Sequence, residues 1–312
     1  MLRRALLAAA DNDRLRHLAT TAPVARGVAH RFVAGETLDE ALEVVATHGR
    51  AGKAVTLDHL GEAVDDPAAS REAVDTYVTS LDAIGAQGLD ASVSVKASQF
   101  GLATDPDAAR SLIGEIATAA KAAGTHVTID MEDSSLTSAT VDLVLALRAD
   151  GHDHVGCAVQ AYLHRTPDDV RRLMEAGASL RLCKGAYDEP PAVAHQRREA
   201  IRDAYVEVAG IMLDAVRAGG GLPRFATHDH MLLHRVRGEV ARRGLDTDAY
   251  EVQTLYGVRP DWETELVRRG LAVRVYVPFG TRWYPYLVRR LAERPANLQF
   301  FLRALLTGGR PT

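Results

Sequence analysis

The feature that most constrains the fold is a repeated pattern that begins near residue 54. A short β-rich run ends in polar or glycine residues and a helical stretch follows, eight times, at intervals of roughly 30 residues. The predicted strands are Ala54–Leu60, Ala91–Lys96, His126–Met131, Val155–Tyr162, Ser179–Cys183, Arg224–His228, Tyr250–Leu255 and Ala272–Pro278. The predicted helices are Pro67–Gln87, Pro106–Ala123, Leu136–Ala149, Pro167–Ala176, Val193–Ala218, His230–Arg243, Asp261–Arg269 and Tyr284–Leu306.

Proline and glycine residues mark the ends of these helices. Pro67, Pro106 and Pro167 stand at first helical positions, where proline is tolerated, and glycines such as Gly177 and Gly244 follow predicted helices. Alternating strands and helices indicate a parallel sheet, and eight units predict an α/β fold with a closed (βα)8, TIM-like barrel. The alternative is an open doubly wound sheet, which is disfavoured because no Gly-x-Gly-x-x-Gly follows the first strand.

Residues 1–50 precede the barrel and are predicted to form a helical N-terminal arm that packs on it. The stretch Thr37-Leu-Asp-Glu40 has the pattern of a capping box, and apolar residues follow it at helical spacing. We therefore divide the chain into the arm, residues 1–50, and a single barrel domain, residues 51–312. The last predicted helix is expected to lie over the barrel mouth.

Composition narrows the class of protein. The chain has 312 residues, of which 47% are hydrophobic and 25% charged, a profile typical of a globular protein. Its net charge of -4 gives no global basic field, so we expect no nucleic-acid partner. No apolar run approaches the roughly 20 residues of a membrane span. Cys157 and Cys183 lie in predicted strands without a metal-type spacing, which suits a reducing compartment.

Polar side chains occupy the strand face that should point into the barrel. Side chains alternate along a strand, and the apolar parity, such as Val93 and Val95, is expected to face the helices. The opposite parity is polar in nearly every strand, whereas ordinary barrels fill this space with branched aliphatic residues. The predicted inward set is Thr56, Asp58, Ser92, Ser94, Lys96, His126, Thr128, Asp130, Gln160, Tyr162, Arg181, Arg224, His228, Glu251, Gln253, Arg274 and Tyr276. Because the C-terminal strand ends carry the site in barrel enzymes, this set predicts a ligand site there.

The charges in this set suggest how the groups pair. Asp58, Lys96 and Asp130 lie on consecutive strands with alternating sign, so they can neutralise one another in part; Lys96–Asp130 could be a purely structural pair. Arg181 and Lys184 then remain as surplus cations at the end of one strand. We predict that they meet an anion or an electron-rich cofactor.

Arg289 and Arg290 are adjacent cations in the last predicted helix. Glu293 follows four and three residues later, so it shares a helix face with each of them. Two guanidinium groups suit a small carboxylate ligand through charge-assisted hydrogen bonds. The alternative for such a pair is a solvated helix edge.

Three other interpretations of the site stay open. Lys184 at a strand end could be the Schiff-base lysine of an aldolase-type barrel. His228 and His230 have a His-x-His metal spacing, but no further ligand set matches it, so we expect no metal. The non-enzyme alternative is a ligand-binding barrel without catalysis, which buried charges lacking a ligand would destabilise.

Eight short motifs stand in order at the predicted strand ends and in the last helix. They are Val93-Ser-Val-Lys-Ala-Ser98, Ile129-Asp130, Val159-Gln-Ala-Tyr162, Arg181-Leu-Cys-Lys-Gly-Ala-Tyr187, Ala226-Thr-His228, Glu251-Val-Gln-Thr-Leu255, Arg274-Val-Tyr-Val-Pro278 and Tyr286-Leu-Val-Arg-Arg-Leu-Ala-Glu293, followed by Asn297. Together they resemble the proline dehydrogenase family, flavoenzymes that oxidise L-proline, in its monofunctional bacterial form. The resemblance runs from about residue 25 to the C-terminus.

The resemblance implies a distorted (βα)8 barrel that binds FAD at its strand ends. The implied FAD contacts are Met131, Gln160, Arg181, Lys184, Gly185, Ala186, Thr227, His228 and Gln253. The implied substrate-binding residues are Lys96, Leu255, Tyr276, Arg289, Arg290 and Glu293. The implied catalytic residues are Asp130, which would hold Lys96, and Arg181, near the reactive edge of the flavin.

The implied activity is oxidation of L-proline to Δ1-pyrroline-5-carboxylate by hydride transfer to FAD, the first step of proline catabolism to glutamate. A membrane quinone would take the electrons, which implies peripheral contact with the inner face of the cytoplasmic membrane. Tyr276 should crowd a ring hydroxyl, so proline is favoured over hydroxyproline. Two residues depart from the family pattern: Asp229, where Asn is frequent, and Cys183, where a branched residue is usual.

Overall fold

The computed structural model describes residues 29–61 and 66–293, without the side chains of residues 289 and 291–293. Eight parallel strands form a closed barrel in chain order, with the last strand paired to the first. They are β1 Ala54–His59, β2 Ala91–Lys96, β3 Val127–Asp130, β4 Val155–Gln160, β5 Leu180–Cys183, β6 Pro223–Ala226, β7 Glu251–Leu255 and β8 Ala272–Phe279. The predicted (βα)8 barrel is therefore confirmed, and the open doubly wound sheet is excluded.

Helices surround the barrel, one after each strand, and one more helix precedes it. They are α1 Leu38–Arg50, α2 Pro67–Gln87, α3 Pro106–Ala122, α4 Thr137–Ala149, α5 Thr166–Glu175, α6 Arg198–Arg217, α7 His230–Arg242, α8 Pro260–Arg268 and α9 Trp283–Glu293. Proline opens α2 and α3, as predicted, directly after the capping residues Asp66 and Asp105. The side chains of these aspartates accept backbone hydrogen bonds at the helix start, which is why both helices begin where they do.

The apolar parity of the strands packs against the helices. Val93 and Val95 of β2 and Val127 and Ile129 of β3 are fully buried in one cluster with helix residues such as Ile113. Burying a side chain of this size contributes roughly 1.5–3 kcal/mol. The layer between strands and helices thus stabilises the fold and leaves the barrel interior available for polar groups.

Helix α1 packs against β1 and β8. The Thr37 hydroxyl accepts from the Glu40 N–H at 3.3 Å, and the Glu40 carboxylate accepts from the Thr37 N–H at 3.0 Å, so the predicted capping box is confirmed. Between α1 and β1, the Lys53 ammonium pairs with the buried Glu263 carboxylate of α8 at 2.8 Å. Residues 1–28 of the predicted arm lie outside the described residues, and the division into arm and barrel stays a prediction.

Two predicted helix bounds differ from the structure or extend beyond it. Helix α6 begins at Arg198 rather than Val193, because residues 193–195 pair with the segment that follows β4. The His164 N–H donates to the Val193 carbonyl at 3.0 Å, and the His195 N–H donates to the Tyr162 carbonyl at 2.8 Å. Helix α9 is described to Glu293, and its predicted continuation over residues 294–306 lies outside the described residues. Within the described ranges, no helix is both long enough and apolar enough to cross a membrane.

Candidate active site

The centre of the barrel interior is organised around the carboxylate of Asp130, at the end of β3. It accepts hydrogen bonds from Ser94 Oγ at 2.8 Å, from Arg181 Nη1 at 2.5 Å and from the Tyr276 hydroxyl at 2.8 Å. These donors come from β2, β5 and β8, so their contacts confirm the predicted inward parity. Burial and the Asp130 charge raise the pKa of Tyr276 well above its usual value, which keeps its hydroxyl protonated.

Arg181 is fixed on several sides. Its Nε donates to Gln253 Oε1 at 2.6 Å, its Nη1 also reaches Ser94 Oγ at 3.1 Å, and its guanidinium lies over the Tyr276 ring at 5.1 Å. The side chain is only 4% exposed, and Nη2 is buried without a hydrogen-bond partner among the described residues. Although burial opposes the charge, Asp130 raises the pKa of Arg181 above its usual value. The structure therefore holds a charged guanidinium with one donor nitrogen left for a ligand.

The predicted pairing of the strand-end charges is confirmed for Asp58 and Lys96 and wrong for Lys96 and Asp130. Asp130 pairs with Arg181, and the Lys96 ammonium instead pairs with Asp58 Oδ1 at 2.7 Å, so Asp130 does not hold Lys96. Both β1 and β3 adjoin β2, and Asp130 is the register partner of Lys96, so strand adjacency does not decide the pairing. The Asp130 carboxylate is instead occupied by Arg181 and Tyr276, and Lys96 pairs with Asp58 on its other side. Arg181 extends across the interior from β5 to Asp130. Arg181 is thus not a surplus cation.

Lys184 also has a carboxylate partner, which corrects the second predicted surplus cation. Its ammonium donates to Asp229 Oδ2 at 2.7 Å, and Arg202 of α6 donates to the same oxygen at 2.9 Å through Nη2. Asp229 lies between β6 and α7, where strand β6 adjoins β5, so the carboxylate reaches the residue that follows Cys183. Lys184 remains 36% exposed at the barrel mouth.

Gln160 and Gly185 shape the loop after β5. Gln160 donates through Nε2 to the Glu132 carbonyl at 2.8 Å and accepts from the Ala186 N–H at 3.2 Å, so it ties together the ends of β3, β4 and β5. Gly185 has φ +121, and a Cβ there would lie 2.2 Å from the Tyr162 ring. Glycine is required here because the backbone passes directly against that ring.

Thr227 and His228 follow β6 at the rim. His228 Nε2 lies 3.1 Å from the Leu255 N–H and accepts from it, which assigns the ring proton to Nδ1. Thr227 is buried and its hydroxyl accepts from the Asp229 N–H at 3.1 Å. Over the described ranges, no group of three or more His, Cys, Asp or Glu side chains is placed to hold a metal ion.

The N-terminal half of the barrel interior holds a second polar layer, which Gln253 joins to Arg181. Arg274 donates through Nε to Glu251 at 3.0 Å, and Gln253 donates to the same carboxylate at 2.7 Å. Gln253 accepts from Arg181 on its other side, so it lies beneath Arg181 and supports it. Its predicted cofactor contact stays a prediction.

The other predicted site residues that the structure describes lie at the C-terminal strand ends. Met131, a predicted cofactor contact, directly follows β3 and is buried. Leu255 and Tyr276, predicted substrate contacts, are register partners on β7 and β8. The Arg290 guanidinium lies 5.3 Å from the Tyr286 ring centroid on α9. The side chains of Arg289 and Glu293 lie outside the described residues.

Sequence reasoning misses two contacts of the site. Ser94 is assigned to the inner face without a role, although its hydroxyl contacts both Asp130 and Arg181. The Asp229–Arg202 contact is not predicted, because nothing in strand parity links a helix residue to a loop.

The interior of this barrel holds buried ion pairs, and its C-terminal strand ends carry charged side chains where other barrels carry aliphatic residues. This arrangement is typical of (βα)8 barrels that are enzymes. Residues 41–303 match the family model described as proline dehydrogenase. Proline dehydrogenase of Deinococcus radiodurans is 34% identical over 316 residues, covering 99% of each chain. Proline dehydrogenase 1 of Bacillus subtilis (strain 168) is 33% identical over 306 residues, 98% of this chain and 99% of the relative. The chain belongs to the proline dehydrogenase family.

Solved structures agree on the fold. Proline utilization A (PutA) from Bdellovibrio bacteriovorus, inactivated by N-propargylglycine, superposes with a TM-score of 0.80 at 23% identity, covering 86% of this chain and 33% of that chain. A mutant of Bradyrhizobium japonicum PutA gives 0.72 at 26% identity, with 88% and 31% covered. The chain therefore spans about a third of the length of these solved chains.

Proposed function

We propose that this protein oxidises L-proline to Δ1-pyrroline-5-carboxylate with bound FAD as hydride acceptor and a membrane quinone as the final electron acceptor. This reaction would be the first step of proline catabolism to glutamate. The observation that carries the proposal is Arg181, a buried guanidinium held by Asp130 and Gln253 with Nη2 left for a ligand. Membership of the proline dehydrogenase family supports the choice of substrate.

The residues at the mouth fit a flavin dinucleotide. Arg181 offers a buried cationic donor to an electron-rich ring, and Lys184 offers an accessible ammonium to a phosphate. Gly185 brings backbone to the surface of the mouth without a side chain. The remaining proposed cofactor contacts lie at the ends of strands β3 to β6 or within three residues after them: Met131, Gln160, Ala186, Thr227 and His228.

The substrate carboxylate would be bound by Lys96 together with Arg289 and Arg290. The Lys96 ammonium is 23% exposed and is oriented by Asp58, so it can meet an anion from the mouth. Leu255 and Tyr276 would pack against the pyrrolidine ring. Fixing the carboxylate and the ring together positions the reacting carbon, and positioning is a major source of rate enhancement.

Proton chemistry at the substrate amine is set by charge rather than by a dedicated base. A mouth lined by cations disfavours a protonated substrate amine, and the neutral amine loses hydride more easily. Asp130 already accepts three hydrogen bonds, from Ser94, Arg181 and Tyr276, which leaves it poorly placed to abstract a proton. We assign it the role of positioning Arg181 and Tyr276.

The two alternatives are less well supported. A Schiff-base lysine must attack as a free amine, whereas the Lys184 ammonium is held by Asp229 at 2.7 Å. A ligand-binding barrel without catalysis would not need the buried Arg181–Asp130 pair, which is costly to desolvate.

We further propose that the protein is located in the bacterial cytoplasm, with peripheral contact at the inner face of the cytoplasmic membrane, where quinone is available.

The absorbance spectrum of the purified protein tests the proposal directly. We expect a flavin absorbance band at about 450 nm that bleaches when L-proline is added in the absence of oxygen. We also expect the protein to reduce an electron-accepting dye when L-proline is present. A colourless protein, or a flavin band that proline leaves unchanged, would refute the proposed reaction. Borohydride trapping of a carbonyl substrate on Lys184 would favour the aldolase alternative.

Substitution of the two arginines tests the carboxylate site. Arg289→Met and Arg290→Met should each raise KM for proline by at least about tenfold while FAD stays bound, since a charge-assisted hydrogen bond contributes about 1.5–3 kcal/mol. Arg268→Met, at a residue 70% exposed on α8, is the control and should leave KM unchanged. Unchanged KM in both test variants would rule out this carboxylate site.

A further inference from the structure

Asp229 joins three elements at the barrel mouth. Its Oδ2 accepts hydrogen bonds from Lys184 Nζ at 2.7 Å, from Arg202 Nε at 3.0 Å and from Arg202 Nη2 at 2.9 Å. Its Oδ1 caps helix α7 by accepting from the Leu232 N–H at 3.2 Å. One carboxylate therefore connects the residue after β5 to helix α6 and to the start of α7.

Two cations share this one carboxylate, so Lys184, Arg202 and Asp229 together carry a net charge of about +1. Arg202 also pairs with Glu199 at 3.1 Å, but that carboxylate is exposed to solvent and screened, so it offsets little of this charge. Burial by itself would raise the pKa of Asp229, but hydrogen bonds from Lys184 and Arg202 outweigh it and lower the pKa far below its usual value. The carboxylate is thus ionised at neutral pH and competes with any other anion for Lys184.

Lys184 is the accessible member of the cations at the strand ends. Its side chain is 36% exposed, whereas Lys96 is 23% exposed and Arg181 is 4% exposed. An ammonium that keeps this much surface beside a carboxylate has donors left for a second anionic group. The phosphates of a dinucleotide are anions of the right chemistry for a cation at the mouth of a (βα)8 barrel.

We propose that Asp229 and Arg202 set, by their opposite charges, how strongly Lys184 attracts the phosphates of the cofactor. The inference rests on the proposed function, because it takes FAD as the dinucleotide. Asp229 draws the Lys184 ammonium away from the phosphates, and Arg202 weakens this effect by binding the same carboxylate oxygen. Both are positioning residues that act through Lys184.

Two single substitutions should change FAD affinity in opposite directions. Asp229→Asn removes the charge and keeps a side-chain oxygen to cap α7, so the dissociation constant of FAD should fall by roughly threefold to tenfold. In Arg202→Gln, Asp229 pairs with Lys184 only and holds it more strongly, so the dissociation constant of FAD should rise by a similar factor. The double variant restores the net charge and should lie near the unmodified protein. All of these differences should shrink at high salt.

The dissociation constant is measured from the fluorescence of free flavin in a dilution series of the holoprotein. Arg235→Gln is the matched control: Arg235 of α7 pairs with Asp203 of α6 at 2.8 Å, so it bridges the same two helices without touching Lys184. It should leave the constant unchanged.

Two results would overturn the inference. If Asp229→Asn and Arg202→Gln weaken FAD binding alike, the cluster is a structural tie and not a charge balance. If neither changes the constant, Lys184 does not attract the phosphates. A wild-type chain that takes up no FAD would instead refute the proposed function, which separates the two failures.

Discussion

At the scale of single residues, Asp130 determines how the polar interior is arranged. Its carboxylate is the partner of Arg181, whose guanidinium is 4% exposed, and it also fixes the hydroxyls of Ser94 and Tyr276. A buried charge that loses its partner costs far more than the intact pair contributes, because the desolvation penalty remains. Asp130 is therefore a residue on which both stability and site geometry depend.

Asp130→Asn should lower the free energy of unfolding by about 3–5 kcal/mol, since it leaves the Arg181 charge buried and unneutralised. Asp150→Asn is the control: Asp150 pairs with Arg110 at the same 2.5 Å, but both side chains are about 40% exposed, and we expect almost no change. Urea unfolding with the Tyr and Trp fluorescence signal measures both. Equal losses in the two variants would contradict a special role for burial.

The sequence predicts which residues face the interior, but it predicts their pairing only in part, since the Asp58–Lys96 pair is confirmed and the Lys96–Asp130 pair is not. Strand parity assigned Asp58, Lys96, Asp130 and Arg181 to the inner face, because alternation is a local property of the backbone. Pairing depends on how far long side chains reach across a closed barrel. Arg181 spans the interior to Asp130, and this reach made the predicted Lys96–Asp130 pair wrong.

At the scale of elements, the strand and helix bounds follow from local signals. Most predicted bounds agree with the structure within two residues, because prolines open helices and glycines follow them. The predicted start of α6 is five residues early, since residues 193–195 pair with the segment after β4 instead of forming a helical turn. Irregular loops carry no periodicity, so the sequence does not predict the contact of Asp229 with Lys184, the first residue of the loop after β5.

The loop after β5 depends on one glycine, which gives a prediction at this scale. Gly185→Ala should destabilise the protein and reduce its flavin content, because the new Cβ would lie 2.2 Å from the Tyr162 ring at φ +121. Gly219→Ala is the control, since Gly219 has φ +86 with nothing within 4 Å of its Cβ position. It should show backbone strain alone, on the order of 1 kcal/mol.

Thermal unfolding and flavin absorbance, measured on both variants, separate strain from steric conflict. We expect a clear loss of bound flavin for Gly185→Ala only. If the two variants lose equal stability and keep equal flavin, the close approach of Gly185 to Tyr162 does not shape the site.

At the scale of the whole molecule, the fold holds partly buried histidines as neutral groups. Burial, assisted by the Lys53 cation, lowers the pKa of His48 to about 4. Burial and nearby arginines, with Arg224 first among them, lower the pKa of His126 well below its usual value. Both groups sit at the N-terminal side of the barrel, away from the proposed site, so their titration affects stability rather than cofactor binding.

The unfolded chain binds protons at these histidines near pH 6.5, whereas folded His48 binds one only near pH 4. Between these values the unfolded state holds more protons, so the free energy of unfolding should fall as pH falls. Each of these histidines contributes a slope of up to about 1.4 kcal/mol per pH unit. The loss from carboxylates with lowered pKa, such as Asp229, is centred at and below the usual aspartate value of 3.8, so it adds to the slope only at the acid end of the range.

Urea unfolding from about pH 7.5 to about pH 4.5 measures this dependence. His48→Gln should make the slope shallower, because one histidine that unfolding would protonate is gone, whatever the variant does to absolute stability. His234→Gln removes an exposed histidine of α7 and should keep the full slope. A slope that is the same in both variants would show that His48 is not held neutral by the fold, and the acid sensitivity would then have to come from the histidines inside the barrel.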